Sequence, residues 1–193
     1  MTVKKKYSKC DTFYYITFTC FQWISLFEIT GLYDFIYNWF QKLALRKVYL
    51  SCFVIMPNHI HLLVYTKNSR DAINTIIGTE KRFMAYEIVK RLKKLNDIDL
   101  LKKMEASVSA KEKERKKKHQ VFEPSFDIKE IYTEKFIRQK LNYIHKNPVS
   151  GKWKLVEHYL DYPHSSARFY DLGEQSNCRI YHYEEVMSEA NTL

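Results

Sequence analysis

The apolar positions of this chain change rhythm several times, and each change marks an element. Phe13 to Phe21 is a run of aromatic and β-branched residues, which predicts a central strand. After Gly31, the residues Leu32, Phe35, Ile36, Trp39, Phe40 and Leu43 recur at steps of three and four, so an amphipathic helix with an aromatic inner face is expected, stopping near Arg46. Val48 to Ile55 is a second apolar strand. Pro57-Asn58 supplies a turn into a third, His59 to Tyr65, and two strands so closely joined should form an antiparallel hairpin. Asp71 is the expected N-cap of a second helix carrying Ile73, Ile76, Ile77, Met84, Ile88 and Leu92.

Strand, helix, strand, strand, helix is the opening of a ferredoxin-like layout, which needs one more strand. Val121 to Phe126 is expected to provide it, at an edge because of Pro124. From about Ile128 the pattern is helical again, with Ile137, Leu141 and Ile144 on one stripe and Phe136, Lys140, Tyr143 and Asn147 on the next, until Pro148 ends it. The fold class is therefore α+β, a ferredoxin-like antiparallel sheet with helices. Residues 1–156 form the expected main domain, with a basic insertion at about 96–120, and residues 157–193 read as a C-terminal appendage.

Charge narrows the partner. The 193 residues carry a formal net charge of +10, which points to a polyanion, because lysine and arginine gain affinity by displacing counterions from phosphates. No run of about 18 apolar residues suits a membrane span, and no charged-then-apolar leader opens the chain, so a cytoplasmic protein is expected. Cys10, Cys20, Cys52 and Cys178 are scattered and read as reduced packing thiols. The run from Lys111 to Lys118 suits a solvated helix or a mobile loop, or a grip on a phosphate backbone.

His59 and His61 point to one face of their strand, while Ile60, Leu62 and Val64 point to the other. Two imidazoles on a rigid support make a two-pronged metal site, although His-x-His alone is a weak signal. Tyr143 and Asn147 share a helix face, so a phenolate nucleophile and an amide oxygen ligand are available together. Mixed nitrogen and oxygen ligation with open positions suits Mg²⁺ or Mn²⁺, whereas two imidazoles alone would favour zinc or another transition metal.

Met56-Pro57-Asn58-His59-Ile60-His61-Leu62-Leu63 followed by Tyr143-Ile144-His145-Lys146-Asn147-Pro148-Val149 resembles the IS200/IS605-type single-tyrosine transposases of the HUH endonuclease superfamily. The nearer resemblance is to their REP-associated tyrosine transposase branch, whose tail is similar to Tyr162-Pro163-His164-Ser165-Ser166. The resemblance implies His59, His61 and Asn147 as metal ligands and Tyr143 as nucleophile. It implies metal-dependent cleavage and rejoining of single-stranded or hairpin DNA through a 5′-phosphotyrosine. Monomer and homodimer both stay open, because insertion-sequence relatives pair the histidines of one subunit with the tyrosine of the other. The chain departs from the relatives at Ser150-Gly151-Lys152, where they commonly have Arg-Ala-Gly, so Lys152 is a candidate to replace that arginine.

Lys81, Arg82, Arg115, Lys116, Lys117 and Lys118 are further candidates for phosphate contacts, and Lys140 for favouring the phenolate. His145 is a competing ligand that should point elsewhere on the helix. The alternative function is a domesticated, non-cutting binder of hairpin DNA or structured RNA.

Overall fold

The computed structural model describes residues 7–191 apart from Arg70, Ser125 and Lys152, with side chains as far as Ser188. In chain order its elements are β1 (Thr12–Thr19), α1 (Leu26–Ile29), α2 (Tyr33–Leu43), β2 (Val48–Ile55), β3 (His59–Thr66) and α3 (Ile73–Lys94). They continue with α4 (Ile98–Ala106), α5 (Ala110–Glu114), β4 (Asp127–Ile131), α6 (Glu134–Lys146), α7 (Ala167–Leu172) and α8 (Tyr183–Asn191). The sheet runs β2-β3-β1-β4 and every pairing is antiparallel, which is the ferredoxin-like order.

Strand alternation gives the sheet two apolar faces. Tyr14, Ile16, Phe18, Ile60, Leu62 and Val64 face α2 and α3, where Ile36, Trp39, Ile76, Met84 and Ile88 bury against them. Phe13, Tyr15, Leu63 and Tyr65 face the opposite way, toward Ile137 and Ile144 of α6. In β2 the register slips between Leu50 and Cys52, so Ser51 is an extra residue in that strand. This bulge puts Leu50 with the α2/α3 core and Cys52 with the α6 core, although a regular strand would send both the same way.

The fourth strand is Asp127–Ile131, not Val121 to Phe126. Ile128 pairs with Ile16 and Ile131 with Phe13, so its two isoleucines feed the two opposite faces, whereas Phe122 makes only an isolated bridge to Cys20. Helical structure accordingly starts at Glu134, behind a Thr133 cap that accepts from the Phe136 N–H, and not at about Ile128. Asp71 does not cap α3. It lies 3.7 Å from Arg46 as an ion pair, and the Ile73 N–H donates to the Tyr7 carbonyl instead. The insertion folds into α4 and α5, capped by Asp97 and Ser109, with Leu101 and Met104 of α4 buried on the α2/α3 core.

The described part of the C-terminal segment, residues 157–191, is woven into the sheet's outer edge. Ile55 N–H donates to the His164 carbonyl, Ser166 N–H to the Phe53 carbonyl and Tyr181 N–H to the Leu50 carbonyl, which covers the free side of β2. Tyr162, Tyr183 and Val186 from the same segment are buried in the α6 core. No helix among the described residues is long and apolar enough to cross a membrane.

Candidate active site

β3 is hydrogen-bonded on both sides, so its side chains have fixed directions, and both histidines point to the α6 face. His59 is 3% exposed and His61 5%. Each ring is held from behind. The Asn58 amide N–H donates to the Trp23 carbonyl, which leaves Asn58 Oδ1 to accept from His59 Nδ1–H at 2.7 Å. His59 Nε2 looks toward Asn147 Oδ1 at 3.3 Å.

His61 is held through Nδ1, which lies 2.6 Å from Thr17 Oγ1 and 2.8 Å from the Tyr15 hydroxyl. Thr17 sits directly opposite His61 in the β1–β3 ladder, so the contact follows from register. Burial, then the neighbouring His59 and Lys140, push the His61 pKa down to about 3. His61 is therefore a neutral imidazole, the form that binds metals.

Asn147 begins a 3₁₀ turn directly after α6, and it is buried. A nitrogen and an oxygen each about 2.1 Å from one ion, at 90–110° to each other, stand roughly 3.0–3.4 Å apart, and the His59–Asn147 separation falls in that range. The His61 ring lies 4.9 Å from the His59 ring, nearly perpendicular. Among the described residues no cluster of three histidines, cysteines or carboxylates could hold a metal. The donor set is thus two imidazoles, of which burial keeps that of His61 neutral, and an amide. It fits a divalent cation whose charge is left for an anionic substrate.

Tyr143 precedes Asn147 by one helical turn and is 51% exposed, with its ring 5.2 Å from that of His61. The Lys140 ammonium stands 4.5 Å from the Tyr15 ring centre and 5.6 Å from that of Tyr143. Burial, and then repulsion from Lys129, lower its pKa. His59, His61, Asn147 and Tyr143 thus converge within one chain. His145 turns the other way, to Ser166 Oγ at 2.9 Å and Cys52 Sγ at 3.2 Å, and burial lowers its pKa to about 4.

The remaining candidates divide. Lys81 is directed inward, donating to the Glu123 carbonyl under the rings of Phe18 and Phe122. It lines a cavity with Arg82, Arg115, Lys116, Lys117 and Lys118, none of which the structure brings to the histidines. Lys152 lies outside the described residues. Sequence reasoning missed Tyr15, Thr17 and Asn58, which hold the two rings. It also missed Trp23 and Trp153, whose rings lie 5.6 Å and 5.5 Å from His59. Alternation along β1 puts Tyr15 and Thr17 on a common face, but only the strand register shows that this is the histidines' face.

No protein-family model matches the chain, and no curated protein sequence does. Among solved structures it is similar to a REP-associated tyrosine transposase bound to a REP hairpin, at 18% identity and a TM-score of 0.57, covering 94% of this chain and 92% of that one. A candidate transposase from Deinococcus radiodurans R1 is more distant, at 14% identity and a TM-score of 0.41, covering 75% of this chain and 95% of that one. The first of these likenesses shows that the chain has the transposase fold.

Proposed function

We propose that this chain is a metal-dependent, single-tyrosine transposase of the REP-associated kind, which cuts and rejoins single-stranded DNA beside a hairpin. The observation that carries the reading is that His59, His61 and Asn147 lie together in the interior, with the exposed Tyr143 one turn before Asn147 on α6. The hairpin bound to the solved transposase of the same fold supports the choice of substrate.

Tyr143 Oη attacks the scissile phosphorus, a phosphotyrosine bond forms to the 5′-phosphate of the downstream fragment, and the bond to the 3′ oxygen of the upstream fragment breaks. The tyrosine gives up its proton and the leaving oxygen gains one, so a 3′-hydroxyl is released. Lys140, close to the Tyr143 ring, puts a cation beside the attacking oxygen and the phosphate it reaches. A divalent ion, Mg²⁺ or Mn²⁺, held by His59, His61 and Asn147, would neutralise and polarise the phosphate. Asn58, Thr17 and Tyr15 keep the two imidazoles aimed. Because the covalent link retains the phosphodiester, another 3′-hydroxyl can reverse the step without a nucleotide cofactor.

The test is incubation with labelled hairpin DNA and Mn²⁺, read as a covalent adduct on a denaturing gel. The adduct is expected with the native chain and absent in Tyr143→Phe or with chelator. An adduct that persists in Tyr143→Phe overturns the nucleophile, and tight binding with no adduct favours a non-cutting binder.

A further inference from the structure

The chemistry above leaves unused the cavity between α3 and residues 112–124. It measures about 730 Å³. Arg82, Lys93, Arg115, Lys116 and Lys118 line it without a carboxylate partner among the described residues, whereas Lys117 is tied to Glu112 at 2.7 Å. Its floor is apolar, from Ala85, Val89 and Phe122, and Tyr86 is 64% exposed at its mouth. Five cations held around one hollow repel each other unless a polyanion joins them. A cationic wall over an apolar and aromatic floor matches a single strand, whose phosphates take the wall and whose bases take the floor. A duplex would use the wall alone.

The cavity is also tied to the active site by main chain. The Glu123 N–H, at its rim, donates to the Thr19 carbonyl, and Thr19 is the ladder partner of His59. The Gln22 N–H donates to Glu123 Oε1 at 2.8 Å, and the next residue, Trp23, packs on His59. The histidines point to the α6 face of the sheet and the cavity opens on the α3 face, so a strand that reaches both passes round the sheet beside Trp23. Such a path takes several nucleotides.

We infer that this groove is a second binding site, which holds single-stranded nucleic acid several nucleotides from the scissile phosphate. The placement rests on the reading of the His59 and Tyr143 site as the point of cleavage; the groove's ligand class rests on the groove itself.

The test uses the full chain as Tyr143→Phe in chelator, so that binding is measured without cleavage. Fluorescent hairpins with no flank, a flank of about three nucleotides and one of about ten are compared by anisotropy. Affinity should rise about tenfold or more only with the long flank. The triple variant Arg115→Gln, Lys116→Gln, Lys118→Gln should lose that gain and lower the log–log salt slope by about 2, at roughly 0.7 per phosphate contact. Tyr86→Ala, with the lysines intact, should weaken the long flank about tenfold and leave an abasic flank unchanged.

The inference fails if the triple variant keeps the native flank dependence and salt slope, or if abasic and ordinary flanks bind equally well. Polyglutamate competing as strongly as the oligonucleotide would assign the groove to acidic proteins instead. Flank-dependent binding by a native chain that never forms an adduct refutes the transposase reading and leaves the groove standing. An adduct with no flank dependence does the reverse.

Discussion

Thr17 and His61 face each other across the β1–β3 ladder, with the threonine Oγ1 2.6 Å from the imidazole Nδ1. The pair fixes which ring nitrogen is turned toward the site, and removing it should loosen the ring without altering the ligands themselves. Thr17→Val is expected to weaken Mn²⁺ affinity by about tenfold or more, measured by calorimetry, with little change in melting temperature. Equal affinity in the two proteins would reduce Thr17 to a packing residue.

Lys140 acts, in this reading, on the charge that develops as Tyr143 attacks and not on the fold. Lys140→Met should lower the single-turnover cleavage rate about tenfold or more with little change in melting temperature. An unchanged rate would remove Lys140 from the chemistry.

Metal binding should register as stability. If His59, His61 and Asn147 hold the ion only in the folded chain, Mn²⁺ at about 100 times its Kd adds roughly 2.7 kcal/mol, read as a rise in melting temperature. The double variant His59→Ala, His61→Ala should show no such rise. A metal-dependent shift retained by that variant would place the ion elsewhere.

Ser166 ties three elements together. Its hydroxyl accepts from the Phe53 N–H at 3.0 Å and meets both His145 Nε2 and Cys52 Sγ, all in the interior. Ser166→Ala leaves the Phe53 N–H and His145 without that partner, so a loss of about 1–3 kcal/mol in urea unfolding is expected. Below about 0.5 kcal/mol, the seat of α6 would owe nothing to this contact.

Acid should unfold the metal-free protein early. Burial holds His145 at about 4 and, with the help of His59 and Lys140, His61 at about 3, both below the ordinary histidine value of 6.5. The folded chain resists protons that the unfolded chain accepts. Stability is therefore whole above about pH 6.5 and declines as pH falls through the window down to 4 for His145 and 3 for His61. His145 alone contributes a loss on the order of 2 kcal/mol between pH 7 and pH 5. Denaturant midpoints in chelator should show that slope, and His145→Gln should flatten it. A native midpoint constant over this range would rule the mechanism out.

The sheet was legible where one strand carried its own pattern. β1, the β2–β3 hairpin and the stripe Ile137, Leu141, Ile144 follow from residue spacing, and so does the direction of His59 and His61. The fourth strand was not, because Asp127–Ile131 is five residues long and mostly charged, and its two isoleucines serve opposite faces. Asp71 met the rule for a cap, yet a tertiary bond from Tyr7 satisfies that helix end. Of the site, the residues that would touch metal and phosphate stand out as chemistry, whereas Asn58, Thr17 and Tyr15 are ordinary in sequence and gain their roles only through register.

The extra residue at Ser51 has a further reach. It decides which of the two cores receives Cys52 and Val54, and those side chains make up part of the bed on which α6 rests. Deleting that one residue would turn the second half of β2 over like a card, offering Phe53 to the Tyr143 helix and Cys52 to the aromatic layer behind the sheet. The aim of the tyrosine is in this sense a matter of counting, set one strand away from the histidine it faces.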